Sequence, residues 1–232
     1  MPDPMSDLVP QRAPSPERPL QGVTLLLVED SRFACEAIRL MCLRSGARLR
    51  RADCLGSARR HLQCYRPTVV IADIGLPDGS GLDLIGTLSR QSPRVPALIA
   101  MSGDAGAGAA ARAAGADLFL AKPVENLAAF QQAVLSLLPD RPQAAAGDAT
   151  PFAPDRAALR DDLAHAAALL DPQAEGDLDY VAQFLKGLAL SAHDADLRAA
   201  AEALLADHGR NAAPLGRVNS LLRDRLAASA GF

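Results

Sequence analysis

The stretch Ile71–Gly81, reading IADIGLPDGSG, decides how this chain folds. A short apolar run, Thr68–Ile71, leads into Asp73, and a Pro/Gly-rich turn, Leu76–Gly81, follows it. That order puts a carboxylate at the C-terminal end of a buried strand, the edge at which open α/β sheets bind ligands. One aspartate at a strand end is a weak signal, because many loops begin with Asp. Its weight comes from features that fall in order around it: an acidic pair at Glu29 and Asp30, a hydroxyl at Ser102, an aromatic at Phe119, and Lys122–Pro123. Each follows or closes its own apolar run.

Outward from this stretch, strand-like and helix-like patterns alternate. Val23–Val28 (VTLLLV) is continuously apolar, as a strand buried on both faces requires. Ser31–Ser45 has helical spacing through Phe33, Ala37, Leu40 and Met41, and Gly46 ends it. Ala47–Ala52 alternates weakly and belongs at an edge. Helices are expected over Leu55–Cys64, Leu82–Arg90 and Val124–Leu138, and strands over Thr68–Asp73, Pro96–Met101 and Asp117–Ala121. Ala105–Ala114 reads as a helix weakened by Gly106 and Gly108. Five β-then-α repeats predict a five-stranded parallel, doubly wound sheet with right-handed crossovers. Beyond it, the prolines of residues 139–153 read as a linker. Residues 154–232 lose the β signal: Arg156–Leu170, Leu178–Ala192, Asp194–His208 and Pro214–Ala228 have helical spacing, as in an antiparallel four-helix module.

The topology gathers chemistry. Strands one, three, four and five of a parallel sheet end at the same edge, which collects Glu29, Asp30, Asp73, Ser102 and Lys122. Three crowded carboxylates repel one another and call for a cation. Hard oxygen ligands with room for waters suit Mg²⁺. An anionic phosphoryl group bridging the cation, the lysine and the Ser102 hydroxyl completes the charge balance. The chemistry is then in-line attack by a carboxylate on phosphorus. Each feature alone has an ordinary reading, since Glu29, Asp30 and Ser31 also suit a helix start; the ordered set does not.

LLLVEDS (Leu25–Ser31), IADIGLPDGSG, ALIAMSGD (Ala97–Asp104) and GADLFLAKPV (Gly115–Val124) resemble the receiver domain of two-component response regulators, over residues 22–138. The resemblance implies a flavodoxin-like fold and a phosphoprotein with Asp73 as acceptor from a phosphohistidine. It implies Mg²⁺ held by Glu29, Asp30, Asp73 and the Gly75 carbonyl, with Lys122 pairing with the phosphoryl group. Ser102 and Phe119 become the switch residues, acting on the face of the fourth helix, fifth strand and fifth helix, and the Lys122–Pro123 bond is cis. Ser102 replaces the commoner threonine, Phe119 the commoner tyrosine, and Gly75 puts no side chain over the site. No enzymatic activity is implied beyond the receiver's own phosphorylation and dephosphorylation. The implied partners are a sensor histidine kinase or phosphotransfer protein, an unnamed downstream protein, and a second copy through the helix-four to helix-five face.

From Thr150 to Phe232 there are 8 Lys/Arg against 12 Asp/Glu, a net charge of −4, which disfavours nucleic-acid binding. Ala182–Leu204 resembles the core of a histidine phosphotransfer domain, in which a phosphorylatable His is followed three and four residues later by Lys and Gly. Lys186 and Gly187 are present, but Gln183 stands where the His belongs. A degenerate, non-phosphorylatable docking module is the expectation, with output by protein–protein contact. The alternatives are a transcriptional regulator with an unrecognised DNA-binding element and a phosphorelay intermediate. His165, His193 and His208 are read as ordinary side chains. Residues 1–21 contain the six prolines of the first twenty residues and are expected to form a disordered tail. They lack the apolar core of a signal peptide, and no apolar run long enough for a membrane span occurs. Cys35, Cys42, Cys54 and Cys64 form no close pair and read as reduced thiols of a cytoplasmic protein rather than zinc ligands.

Overall fold

A computed structural model describes residues 13–142, 144, 155–171, 177–208 and 210–229. The five strands are β1 (Thr24–Val28), β2 (Arg48–Ala52), β3 (Val69–Asp73), β4 (Ala97–Ser102) and β5 (Leu118–Ala121). They form one parallel sheet in the order β2-β1-β3-β4-β5, with Leu27 beside Ile71 and Ile71 beside Ile99. The central strands are apolar except at their ends, Thr24, Asp73 and Ser102, because both faces are covered. The edge strand β2, RLRRA, is exposed except for half-buried Leu49 and buried Ala52.

Helices α1 (Arg32–Ser45) and α5 (Leu127–Leu135) cover one face, and α2 (Leu55–Cys64), α3 (Gly81–Ser89) and α4 (Gly108–Ala114) the other. Ser31 caps α1 by accepting from the Ala34 N–H, and Gly46 ends it at φ 83°, where a side chain would be strained. The αβ units thus match the sequence pattern to within a few residues. The fourth helix is shorter than expected: Ala105–Ala107 is a 3₁₀ turn, and α4 starts only at Gly108. A two-residue hairpin, Gly75–Leu76 with Gly79–Ser80, fills the turn after β3.

The tail expectation needs correction in part. Residues 1–12 lie outside the described residues, but residues 13–21 are ordered against the end of α1. Leu20 is fully buried, its N–H bonds to the Ser45 carbonyl, and Arg141 donates to the Gln21 carbonyl. An apolar residue at the end of a proline-rich stretch completes the core there. The expected linker, residues 139–153, falls largely outside the described residues.

The second half is helical: α6 (Arg156–Leu169), α7 (Leu178–Ser191), α8 (Ala195–Asp207) and α9 (Ala212–Ser229). Val181, Leu185, Leu188, Leu197, Leu204 and Leu222 fill its core. So does Phe33 from α1, so the two cores meet across a packed seam. All four cysteines are free, with Cys35 and Cys42 buried. No helix among the described residues is long and apolar enough to cross a membrane.

Candidate functional site

Each site residue is placed by the end of a strand. Glu29 and Asp30 follow β1, Asp73 closes β3, Ser102 closes β4 and Lys122 follows β5. The turn after Asp73 doubles back so tightly that a Cβ on Gly81 would lie 1.9 Å from the Asp73 carbonyl oxygen, so only glycine fits. Carboxylate oxygens of Glu29, Asp30 and Asp73 lie within 4.8 Å of one another. Lys122 Nζ stands 2.7 Å from Glu29 Oε2 and 3.1 Å from Asp73 Oδ2.

The charges are buried, and burial sets their behaviour. Desolvation pushes the Asp30 carboxyl up to about 8, helped by the neighbouring Glu29 charge and opposed by a hydrogen bond from Tyr180. Desolvation also raises Asp73, to about 7, against the attraction of Lys122. Burial alone would lower the Lys122 ammonium, but Asp73 and Glu29 outweigh it and hold it raised. One lysine cannot balance three carboxylates. Among the described residues, Glu29 Oε2 has the Lys122 ammonium alone as partner. The donor set is all oxygen, anionic and convergent, and it fits a hard divalent cation such as Mg²⁺.

The sequence expectations converge here. Gly75 and Ser102 line one cavity with Asp73 and Lys122. The Ser102 hydroxyl accepts from the Asp104 N–H at 3.1 Å. Phe119 lies apart from the acids, within contact distance of a Cβ built on Gly108 at the start of α4. Lys122–Pro123 is cis, as the resemblance implies.

What the sequence did not reveal is how the helical half bears on this site. The Tyr180 hydroxyl of α7 donates to Asp30 Oδ2 at 2.6 Å. Buried Asp162 of α6 accepts from the Ser31 hydroxyl at 2.8 Å and from the N–H groups of Arg32 and Phe33, each at 3.0 Å. It thereby anchors the start of α1, where a carboxylate is favoured. Gly187 of α7 comes close to the sheet edge: its Cα lies 3.6 Å from the place of a Cβ on Gly103, and a Cβ on Gly187 would lie 3.8 Å from Lys122 Nζ. Gln183 reaches over Gly75, and Lys186, ion-paired with Glu202 at 3.7 Å, lines the same cavity. Of the histidines, His193 and His208 are exposed and face Glu125 and Asp179, and His165 stacks edge-on against Phe184.

A five-stranded parallel sheet with three acids and a lysine at its C-terminal edge defines a class, and comparison with known families agrees. Residues 25–134 match the response regulator receiver domain. Over 104 residues the chain is 34% identical to the probable transcriptional regulatory protein TcrX of Mycobacterium tuberculosis, covering 44% of each. It is 33% identical over 100 residues to the KDP operon transcriptional regulatory protein KdpE of Escherichia coli, covering 43% of this chain and 44% of that one. The match thus spans less than half of either relative. A putative response regulator from Chloroflexus aurantiacus is 27% identical, with a TM-score of 0.47, covering 50% of this chain and 98% of that structure.

Proposed function

We propose that this chain is a two-component response regulator in which Asp73 takes a phosphoryl group from a phosphohistidine of a sensor kinase or phosphotransfer protein. The observation that carries the reading is the buried Lys122 ammonium bridging Asp73 and Glu29 at 3.1 and 2.7 Å, beside Asp30. Glu29, Asp30 and Asp73, with the Gly75 carbonyl, would hold Mg²⁺, which supplies charge neutralisation for an anionic phosphoryl group. Lys122 pairs with a phosphoryl oxygen, and the Ser102 hydroxyl at the cavity edge is drawn toward it. Phe119 follows, which alters the face of α4, β5 and α5 through which a second copy could bind.

The output is protein–protein contact through the helical half, read as a degenerate histidine phosphotransfer module. Its docking supports this: Gln183 lines the cavity with Asp73, and Gly187, without a side chain, lets α7 lie against Gly103, as phosphotransfer from a His at position 183 would require. The names of the curated relatives favour a second reading, transcriptional output. The module's net charge of −4 opposes it.

Incubation with acetyl phosphate and Mg²⁺ followed by mapping of the modified residue tests the acceptor. Labelling of Asp73 alone, lost in Asp73→Asn and on chelation of Mg²⁺, is the expected result. Undiminished labelling of Asp73→Asn overturns it.

A further inference from the structure

The cavity shared by the two halves has one wall from the receiver (Asp73, Ser102, Lys122) and one from the module (Gln183, Lys186, Gly187). Its volume is about 250 Å³. One water has a share of roughly 30 Å³ in the liquid, so the cavity has room for water between the two walls. Gly75 leaves the mouth of the site without a side chain, and Gln183 takes that space: its Oε1 stands 3.0 Å from where a Cβ on Gly75 would be. The Gln183 amide hydrogen-bonds to no described residue and is open to solvent on one side. A neutral amide whose donor and acceptor have no partner among the described residues, lining one cavity with the Asp73 carboxylate, is poor at receiving phosphate. It is well suited to holding a water.

We propose that Gln183 positions the water that hydrolyses phosphoryl-Asp73, so that the helical module resets its own receiver. This rests on the reading of Asp73 as phosphoacceptor. The amide oxygen accepts from the water and the amide N–H donates to a phosphoryl oxygen, which places the water on the module's side of the phosphorus, facing the bond to Asp73. Glutamine serves other phosphoryl-transfer sites in this way, orienting water rather than removing its proton. As the water oxygen bonds to phosphorus, the bond from phosphorus to the Asp73 oxygen breaks and its electron pair returns to the carboxylate. The water proton passes to a phosphoryl oxygen, and inorganic phosphate leaves. Lys186, on the same wall, supplies a positive charge to the phosphoryl oxygens. Lys122 supplies one from the receiver's wall.

The test uses the full chain loaded with acetyl phosphate and Mg²⁺, freed of donor, and followed for loss of the aspartyl phosphate. Gln183 is exposed, so Gln183→Ala and Gln183→Glu leave the fold intact. Expected is a slowing of decay in Gln183→Ala on the order of 10²-fold, the loss that follows when a reacting group is no longer held in place. Gln183→Glu, with the same shape but a charge that repels the phosphoryl group, slows too. If Gln183 were only an obstruction, Gln183→Ala would speed labelling and decay together; equal or faster decay overturns the proposal. A wild-type chain that never accumulates label while Gln183→Ala does is the extreme form of the expected result. If neither labels on Asp73, the acceptor reading fails and the proposal falls with it.

Discussion

The two halves of this molecule bring polar groups to the shared site by opposite routes. In the receiver, Glu29, Asp30, Asp73, Ser102 and Lys122 stand at strand ends, and the parallel topology alone gathers them. In the helical half, Tyr180 and Gln183 on α7 and Asp162 on α6 come from within helices, and they acquire a role only from the surface they are docked on. The receiver's site is therefore complete within its own fold. The module's contribution exists only while the seam holds.

Phe33→Ala tests this dependence most severely. Phe33 belongs to the receiver's α1, yet its ring is buried in the module's core. Removing a buried phenyl group costs about 3–5 kcal/mol. The expected outcome is that hydrogen exchange of α6–α9 speeds accordingly while the central strands keep their protection. An equal loss in both halves would show one cooperative unit and dissolve the distinction.

A smaller effect, offset by Lys122 beside the acids, is expected from pH. The folded-state pKa values of Asp30 and Asp73 are raised, to about 8 and about 7, so the folded protein binds more protons than the unfolded chain in between. Stability without Mg²⁺ should be greatest near pH 4 on this account and decline as pH rises toward 8. Added Mg²⁺ replaces the protons and should raise the melting temperature more at pH 8 than at pH 6. A Mg²⁺ effect independent of pH would show that these acids do not share the cation.

The smallest effect concerns α4, which has no side-chain cap, begins at a glycine and buries only Gly108 and Ala111. Hydrogen exchange of residues 103–116 should be faster than that of α5, and should change when beryllofluoride mimics the phosphoryl group. Equal protection in both states would place the receiver's signal in the seam with the module instead.

Much of this was legible in the sequence, for a physical reason. A strand buried on both faces must be apolar, so VTLLLV and PALIAM announce themselves, and a polar residue that ends such a run must lie at the sheet edge. The module's helices were legible by the same logic of periodicity. Leu20 was not, because one apolar residue after a run of prolines has no period. Asp162 and Tyr180 were not, because their partners Ser31 and Asp30 lie 131 and 150 residues away. An acid and an aromatic on a helix look the same whether they face water or another fold. The one available hint was Lys186–Gly187 following Gln183, which marked the face of α7 that meets the receiver.

The covalent tether between Leu138 and Arg156 gives the docking of α7 a further meaning. A segment joined to its own target by a short connection is present there at an effective concentration on the order of mM. If Asp73 takes phosphate from a histidine on another protein, as proposed above, such a donor at micromolar concentration is outnumbered about a thousandfold at this face before affinities are compared. On that reading a weak donor rarely finds the face vacant, and a cognate one must bind tightly enough to displace the resident helix.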